Sequence, residues 1–246
     1  MTVGLAFQVV AFVLSSLFAL FRLPDAIRGR NRSMFFCMVL ISVSTGLSLP
    51  LFYEFVDPLF GGMNLANLLL RYALFGVFVI LGLRAAAAFG AAWARRLIIG
   101  PIGLAVLGAV VALTAVFFAA SDIPETSTGL LDYSGQVSVE VYGMLGRLYP
   151  AYVAACVCAP ALAAAGNSSY RTPHRIGSGL FGAGLGIVVV FTALTLVMDI
   201  GVFMVLLPFS AVILVTLGLT IMWISRRATQ RRPKVSMLSE RYKNVS

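Results

Sequence analysis

The sequence predicts an all-α polytopic membrane protein with seven transmembrane helices, an outside N-terminus and a cytoplasmic C-terminus. Hydrophobic residues make up 60% of the 246 residues and charged residues only 11%. A soluble domain is about half apolar and about a quarter charged. The apolar residues also fall in blocks close to the roughly 20 residues that a helix needs to cross a bilayer. The loops between the blocks are too short for a soluble domain.

The seven apolar blocks define the expected spans. They cover about residues 3–21, 34–53, 63–84, 97–119, 141–165, 177–198 and 202–224, in one transmembrane domain over 1–225 followed by a basic tail over 226–246. A cleavable signal peptide carries its basic residues before the apolar core. Here Arg22 and Arg28 follow the first block. The first block is therefore expected to be a retained span.

The distribution of charge predicts the orientation. The loops after spans one, three and five, together with the tail, hold 16 of the 18 Lys and Arg residues. The intervening loops hold none, and seven of the nine acids lie on their side. Because cytoplasmic loops carry the excess of Lys and Arg, the N-terminus is predicted to lie outside. We expect a multi-pass protein of a bacterial inner (plasma) membrane.

Several spans have features that predict local structure. The Ala-rich stretch AAAAFGAAWARR after span three is expected to prolong that helix to the interface. Pro150 and Pro160 in span five each remove a helix hydrogen bond, so kinks are expected there. Span six has Ser178, Gly182 and Gly186 at four-residue intervals, a pattern that favours close helix packing.

Span three carries a polar stripe. On a helix at 100° per residue, Asn64, Asn67 and Arg71 differ in direction by no more than about 60°. They occupy the predicted outer half of the span, with Arg71 roughly 10 Å below its outer end. A charged side chain inside a membrane requires a partner or a water-filled cavity.

The second intramembrane cation is Arg147 in span five, predicted to lie at a similar depth. We hypothesise that Arg71 and Arg147 line an outward-opening polar vestibule and pair with nearby acids. The candidate acids are Glu54, Asp57, Glu140 and Asp199, of which Glu140 shares a helix face with Arg147. In the alternative interpretation, both arginines reach outward to the headgroups or lock helices together.

The motifs of the common enzyme classes are missing from the sequence. His174 is the only histidine, and there is no H-E-x-x-H pair, G-x-S-x-G elbow or P-loop. Cys156 and Cys158 lack the two-residue spacer of a redox or zinc pair, and the third cysteine is Cys37. Both lysines lie in the tail, which excludes a retinal Schiff base in span seven. We expect no enzyme activity, cofactor or metal site.

The tail contains seven basic residues. Such clusters beside a span attract anionic lipids, and they also act as topology signals. Docking of a membrane or cytoplasmic protein partner is an alternative. No nucleic-acid partner is expected, because the charge belongs to loops and tail of a membrane protein.

Two runs of sequence resemble a known family. They are FRLPDAIRGRNRS (21–33) and LSLPLFYEFVDPLFGGMNLANLLLRYALFG (47–76), which contain an Asp-x-x-Phe-Gly-Gly turn and an Asn-Leu-Ala-Asn-Leu-Leu helix start. They are similar to the N-terminal region of actinobacterial seven-helix membrane proteins labelled as transporters or as membrane components associated with regulators. The resemblance implies the same seven-helix topology and supplies no catalytic or binding residue.

These observations leave alternative functions open. The polar stripe, the proline-containing fifth span and the glycine-rich sixth favour a small transporter or channel-like protein. The basic tail and polar outer side also fit a non-enzymatic sensor or an accessory subunit of a membrane complex. A purely structural subunit would use the arginines to lock helices.

Overall fold

The computed structural model describes residues 3–230, with side chains through residue 227, and every regular element in this range is helical. The α-helices are α1 (Val3–Ile27), α2 (Arg32–Gly46), α3 (Pro50–Val56), α4 (Leu65–Ala88), α5 (Ala92–Ile99), α6 (Pro101–Ala119), α7 (Val137–Gly166), α8 (Thr172–Val197) and α9 (Phe203–Gln230). Short 3-10 turns cover Asp57–Phe60 and Thr128–Tyr133. All but the first five residues of the predicted tail lie outside the described range.

Six of these helices are long and apolar enough to cross a membrane: α1, α4, α6, α7, α8 and α9. Helix α2 and the helical stretch Pro50–Phe60 pass the same test only as a pair, bent by 95° between them. The described chain therefore has six membrane-length helices, or seven if the bent pair counts as one span. This is the architecture of a multi-pass membrane protein.

The predicted second span, residues 34–53, is broken in the structure. Helix α2 ends at Gly46, and Pro50 occupies the first turn of α3. Leu49, just before the proline, is extended with φ −89° and ψ 127°. A residue before proline is driven away from helical geometry, and proline is well suited to begin a helix. The sequence Leu-Pro therefore turns the chain sharply.

Three other expectations about the spans need correction. Only the first four alanines of the Ala-rich stretch prolong α4, to Ala88, because Gly90 turns the chain with φ 67° and α5 begins as a separate helix at Ala92. Span five is longer than predicted, because α7 covers Val137–Gly166, and the kinks at Pro150 and Pro160 inside it stay a prediction. Helix α1 extends six residues beyond the predicted span, so Arg22 and Asp25 lie in the helix instead of in a loop.

Contacts between helices show their relative directions. Helix α2 is antiparallel to both α1 and α4, since the Ser15 and Thr45 hydroxyls meet at 3.4 Å and Arg84 donates a hydrogen bond to Ser33. Helices α1 and α4 thus run the same way, which favours counting the bent pair as a crossing. We call the two ends of the bundle the Asn64 end and the Arg84 end.

The core lies where α2, α4, α7 and α8 meet. Its buried side chains include Met38, Phe75, Leu81, Val153 and Phe181. Helices α8 and α9 approach closely through glycine: a Cβ on Gly218 would lie 2.6 Å from the Gly177 carbonyl oxygen. Such contact requires small residues, as in other membrane helix pairs.

The predicted small-residue face of α8 is divided between two neighbours. Gly182 and Gly186 face Leu162 and Cys158 of α7, whereas the Ser178 hydroxyl lies 3.5 Å from the Met222 sulfur of α9. Two of the three residues with this spacing therefore contact α7, and the third contacts α9. The closest approach to α9 uses Gly177 and Gly184, outside the predicted pattern.

Candidate functional site

The residues that precede α4 form a closed polar network at the Asn64 end. Asp57 is fully buried and accepts three hydrogen bonds. The donors are the Asn64 backbone N–H (3.0 Å), the Ala66 backbone N–H (3.1 Å) and the Thr126 hydroxyl (2.8 Å). A helix begins with unpaired N–H groups and a partial positive charge, which a carboxylate stabilises. Asp57 caps α4, so its predicted role as an arginine partner is wrong.

Asn64 joins this network to the loop between α6 and α7. Its side-chain oxygen accepts hydrogen bonds from the Tyr53 hydroxyl (2.9 Å) and the Ser127 N–H (2.8 Å). Its side-chain nitrogen donates to the carbonyl oxygens of Glu125 (2.7 Å) and Ile123 (3.3 Å). A neutral amide offers two donors and two acceptor positions, and all four are used. Asn64 thus connects two loops and retains no free group for a ligand.

The predicted stripe of three residues is only partly present. Asn64 lies outside α4, in the left-handed conformation at φ 57°, so helical geometry does not apply to it. Asn67 and Arg71 do share a face, four residues apart, and both contact Tyr142 of α7. The Tyr142 hydroxyl donates to the Asn67 side-chain oxygen at 2.8 Å, and the Arg71 guanidinium lies 4.7 Å from the ring centre. This geometry combines a hydrogen bond with a cation–π contact.

A glycine on α7 makes room for Arg71. A Cβ on Gly146 would lie 2.0 Å from Nη1 of Arg71, 2.5 Å from Cδ and 2.7 Å from Cζ. Since no side-chain atom can occupy that position, the arginine lies directly against the α7 backbone. From there Nη1 donates to the Gly143 carbonyl oxygen at 3.3 Å, while Nε is buried without an acceptor.

Arg147 reaches the same carbonyl from its own helix. Its Nε donates to the Gly143 oxygen at 3.1 Å, and Nη1 lies 3.8 Å from the sulfur of Met204 at the start of α9. Both arginine side chains are half-buried. Arg71 and Arg147, which were predicted to lie at a similar depth, thus donate to the same carbonyl oxygen, and the outward-opening vestibule stays a prediction. We call Arg71, Arg147 and Gly143 the arginine pair site.

The acids predicted to neutralise this site lie elsewhere. Among side chains 3–227, a nitrogen–oxygen distance within 4.0 Å between opposite charges occurs only for Arg227 and Asp25. Glu54 on α3 and Glu140 on α7 are exposed, and Asp199 accepts a hydrogen bond from the Gly201 N–H at 2.9 Å. The predicted ion pairs are therefore wrong. Sharing a helix face seven residues apart did not bring Glu140 into contact with Arg147.

The missing neutralisation has an energetic consequence. One charged side chain at the bilayer centre costs about 2.5–3.5 kcal/mol on insertion scales. Two like charges 4–8 Å apart repel by about 2–4 kcal/mol at an effective dielectric constant of 20. One shared carbonyl oxygen and an aromatic face offset only part of this. The site would be stabilised by a negative charge placed between the two guanidinium groups.

Three residues that contact Arg71 were not predicted from the sequence: Tyr142, Gly143 and Gly146. They lie within one and a half helical turns before Arg147, and residues three or four apart on a helix are neighbours. That spacing was visible in the sequence. What the sequence does not show is that Arg71 of α4 packs against this part of α7.

A second polar cluster, at the Arg84 end, was also missed. Arg22 of α1 is buried and donates to the Leu219 carbonyl oxygen at 3.2 Å. Arg227 of α9 forms an ion pair with Asp25, and its guanidinium lies 4.3 Å from the ring centre of Trp223. This cluster joins α1 to α9. Its charges were predicted to belong to a loop and to the tail.

The three cysteines are free, and Cys37 and Cys156 are buried. Within the described residues, no group of three His, Cys, Asp or Glu side chains could hold a metal ion.

The resemblance of residues 22–76 to actinobacterial seven-helix proteins stays a prediction, as does the orientation of the chain in the membrane. No protein-family model matches the chain, and comparison with curated proteins and with solved structures gives no significant match.

Proposed function

We propose that this protein is a small transporter or channel-like membrane protein whose solute reaches Arg71 and Arg147. The observation that carries the proposal is the pair of guanidinium groups held between two membrane-length helices, with no carboxylate paired to either among the described residues. Ionisable side chains inside membrane helices are costly, and they commonly mark substrate or ion pathways.

The geometry favours this function over a purely structural role for the arginines. A lock between helices is strong when each buried charge has a counter-charge or several acceptors. Asp25 and Arg227 meet that description at the other end of the bundle. Arg71 and Arg147 instead share a single carbonyl oxygen, and Nε of Arg71 has no acceptor.

The proposal includes the orientation with the Asn64 end outside. Exposed arginines follow α1 and α4 at the Arg84 end, among them Arg28, Arg30, Arg95 and Arg96. The acids Glu54, Glu125 and Glu140 are exposed at the opposite end. This separation supports the positive-inside assignment. The arginine pair site then lies in the outer half of the membrane.

Solute flux in proteoliposomes tests the proposal. A panel of small ions and polar solutes is presented, and uptake is followed by light scattering or by ion-selective electrodes. Arg71→Gln and Arg147→Gln remove the charges and should lower flux of the responsive solute at least tenfold. Arg84→Gln is the matched control, because it removes an exposed arginine from the opposite end of α4.

Two results would contradict the proposal. Flux that is unchanged in both arginine variants would remove the site from the pathway. Proteoliposomes that move nothing in the panel would favour the accessory-subunit alternative, for which a protein that co-purifies with the chain is the direct observation.

A further inference from the structure

We propose that the arginine pair site binds a small oxyanion, with the chemistry of a phosphate or carboxylate group. This inference rests on the proposed function and names the class of solute at that site. It begins from the charge balance: two cations share a carbonyl oxygen, and no carboxylate of the described residues lies within ion-pair distance of either. An anion would supply the missing charge.

The hydrogen-bond donors of the two arginines point to the same place. A guanidinium has five N–H donors and no acceptor. Within the described chain, the Gly143 carbonyl is the backbone acceptor of both arginines, and the Arg71 guanidinium also contacts the Tyr142 hydroxyl. The position that a Cβ would take on Gly143 lies 3.5 Å from Nη2 of Arg147 and 4.0 Å from Nη2 of Arg71. Both Nη2 atoms therefore lie on the same side of Gly143, each within contact distance of the place that a single methyl group would take.

Guanidinium chemistry favours an oxyanion over a halide. The planar fork of arginine matches the two oxygens of a carboxylate or phosphate, which gives shorter and stronger bonds than those to neutral groups. Nη2 of both arginines could bond separate oxygens of one anion.

Gly143 provides a variant that separates binding from structure. In Gly143→Ala the new methyl group would contact both Nη2 atoms at ordinary van der Waals distances, so the helix is expected to remain intact. The methyl group would occupy the volume assigned to the anion while both charges stay in place. Gly108→Ala is the matched control, since a Cβ there meets nothing within 4 Å.

The experiment uses the full chain in a neutral maltoside detergent without phospholipid. Inorganic phosphate is titrated by calorimetry, with chloride at equal ionic strength as the comparison. We expect saturable phosphate binding that weakens at least tenfold in Arg71→Gln, Arg147→Gln and Gly143→Ala, and that is unchanged in Gly108→Ala. Melting of Gly143→Ala at or above the wild-type temperature shows that the fold is intact.

A lipid headgroup carries the same phosphate chemistry, so a second titration uses short-chain phosphatidylglycerol. If the lipid binds and free phosphate does not, the arginines are headgroup anchors and the proposal fails. Equal binding of chloride and phosphate would also overturn it, as would wild-type affinity in Gly143→Ala. Phosphate binding without flux in liposomes would leave this inference standing and reject the transport function.

Discussion

Replacing Asn64 by Asp tests whether the network before α4 is as closed as its hydrogen bonds indicate. The change keeps the size of the side chain and removes its two N–H donors. The Ile123 carbonyl oxygen then loses its hydrogen bond from Asn64. The Glu125 carbonyl oxygen still accepts a hydrogen bond from the Tyr133 hydroxyl at 3.2 Å. The new carboxylate would also be close to the buried carboxylate of Asp57, whose Oδ2 lies 3.0 Å from the backbone nitrogen of residue 64.

The expected loss is about 2–4 kcal/mol of folding free energy. A buried acceptor left unpaired costs about 1–3 kcal/mol, and a hydrogen bond to a partner that remains solvated costs less. Repulsion between two carboxylates adds to this. The native cysteines provide the assay, because Cys37 and Cys156 are buried and react with a thiol-sensitive dye only as the bundle opens. Asn64→Asp should melt several degrees below the wild type in detergent.

Asn67→Asp is the matched control. Its oxygen accepts a hydrogen bond from the Tyr142 hydroxyl, and a carboxylate can accept one from Tyr142 and from the neighbouring Tyr53 hydroxyl as well. Arg71 lies one turn further along the same helix face and offsets the new charge. The variant should melt close to the wild type. If Asn67→Asp is the less stable of the two variants, or if Asn64→Asp melts with the wild type, the reasoning about the closed network is refuted.

Two further predictions concern contacts of α9. In a double-mutant cycle of Asp25→Asn and Arg227→Gln, the coupling energy should be about 1 kcal/mol, since Asp25 is largely buried but the Arg227 side chain is 37% exposed. Additive effects in thermal unfolding would mean that the pair contributes nothing. Gly218→Ala should lower the stability by about 1–3 kcal/mol, because its Cβ would meet the Gly177 oxygen at 2.6 Å. Gly108→Ala, in open space, should be neutral or slightly stabilising, and equal melting of the two alanine variants would contradict the packing argument.

The membrane-length helices were predictable because hydrophobic length depends on composition alone. The ends of the predicted spans 63–84 and 177–198 differ by one to five residues from the ends of α4 and α8. The presence of two arginines inside membrane spans was predictable for a similar reason, because a charged residue within an apolar segment is visible in the sequence. Their level in the bundle followed from counting residues along each helix.

The partners of these residues were less predictable, because they depend on contacts between distant parts of the chain. Asp25 and Arg227 are 202 positions apart, and nothing near either residue indicates the other. Asn64 was assigned to a helix because helical periodicity continues through it. Its left-handed backbone is set by hydrogen bonds to residues 123–127, about 60 positions later.

The break after α2 affects how the protein fits the bilayer. Fifteen residues give α2 a length of about 22 Å, against a hydrocarbon thickness of about 30 Å. Counted as one span with α2, helix α3 would lie below the membrane surface, where its exposed side chains Leu51 (77%) and Phe55 (70%) would contact acyl chains. A thicker bilayer would increase this hydrophobic mismatch, because the length of α2 is fixed. The angle between α2 and α3 would then have to open, or the bilayer would have to become thinner around them. We expect lipid chain length to affect the Asp57–Asn64 network through α3, because Tyr53 of α3 donates a hydrogen bond to Asn64.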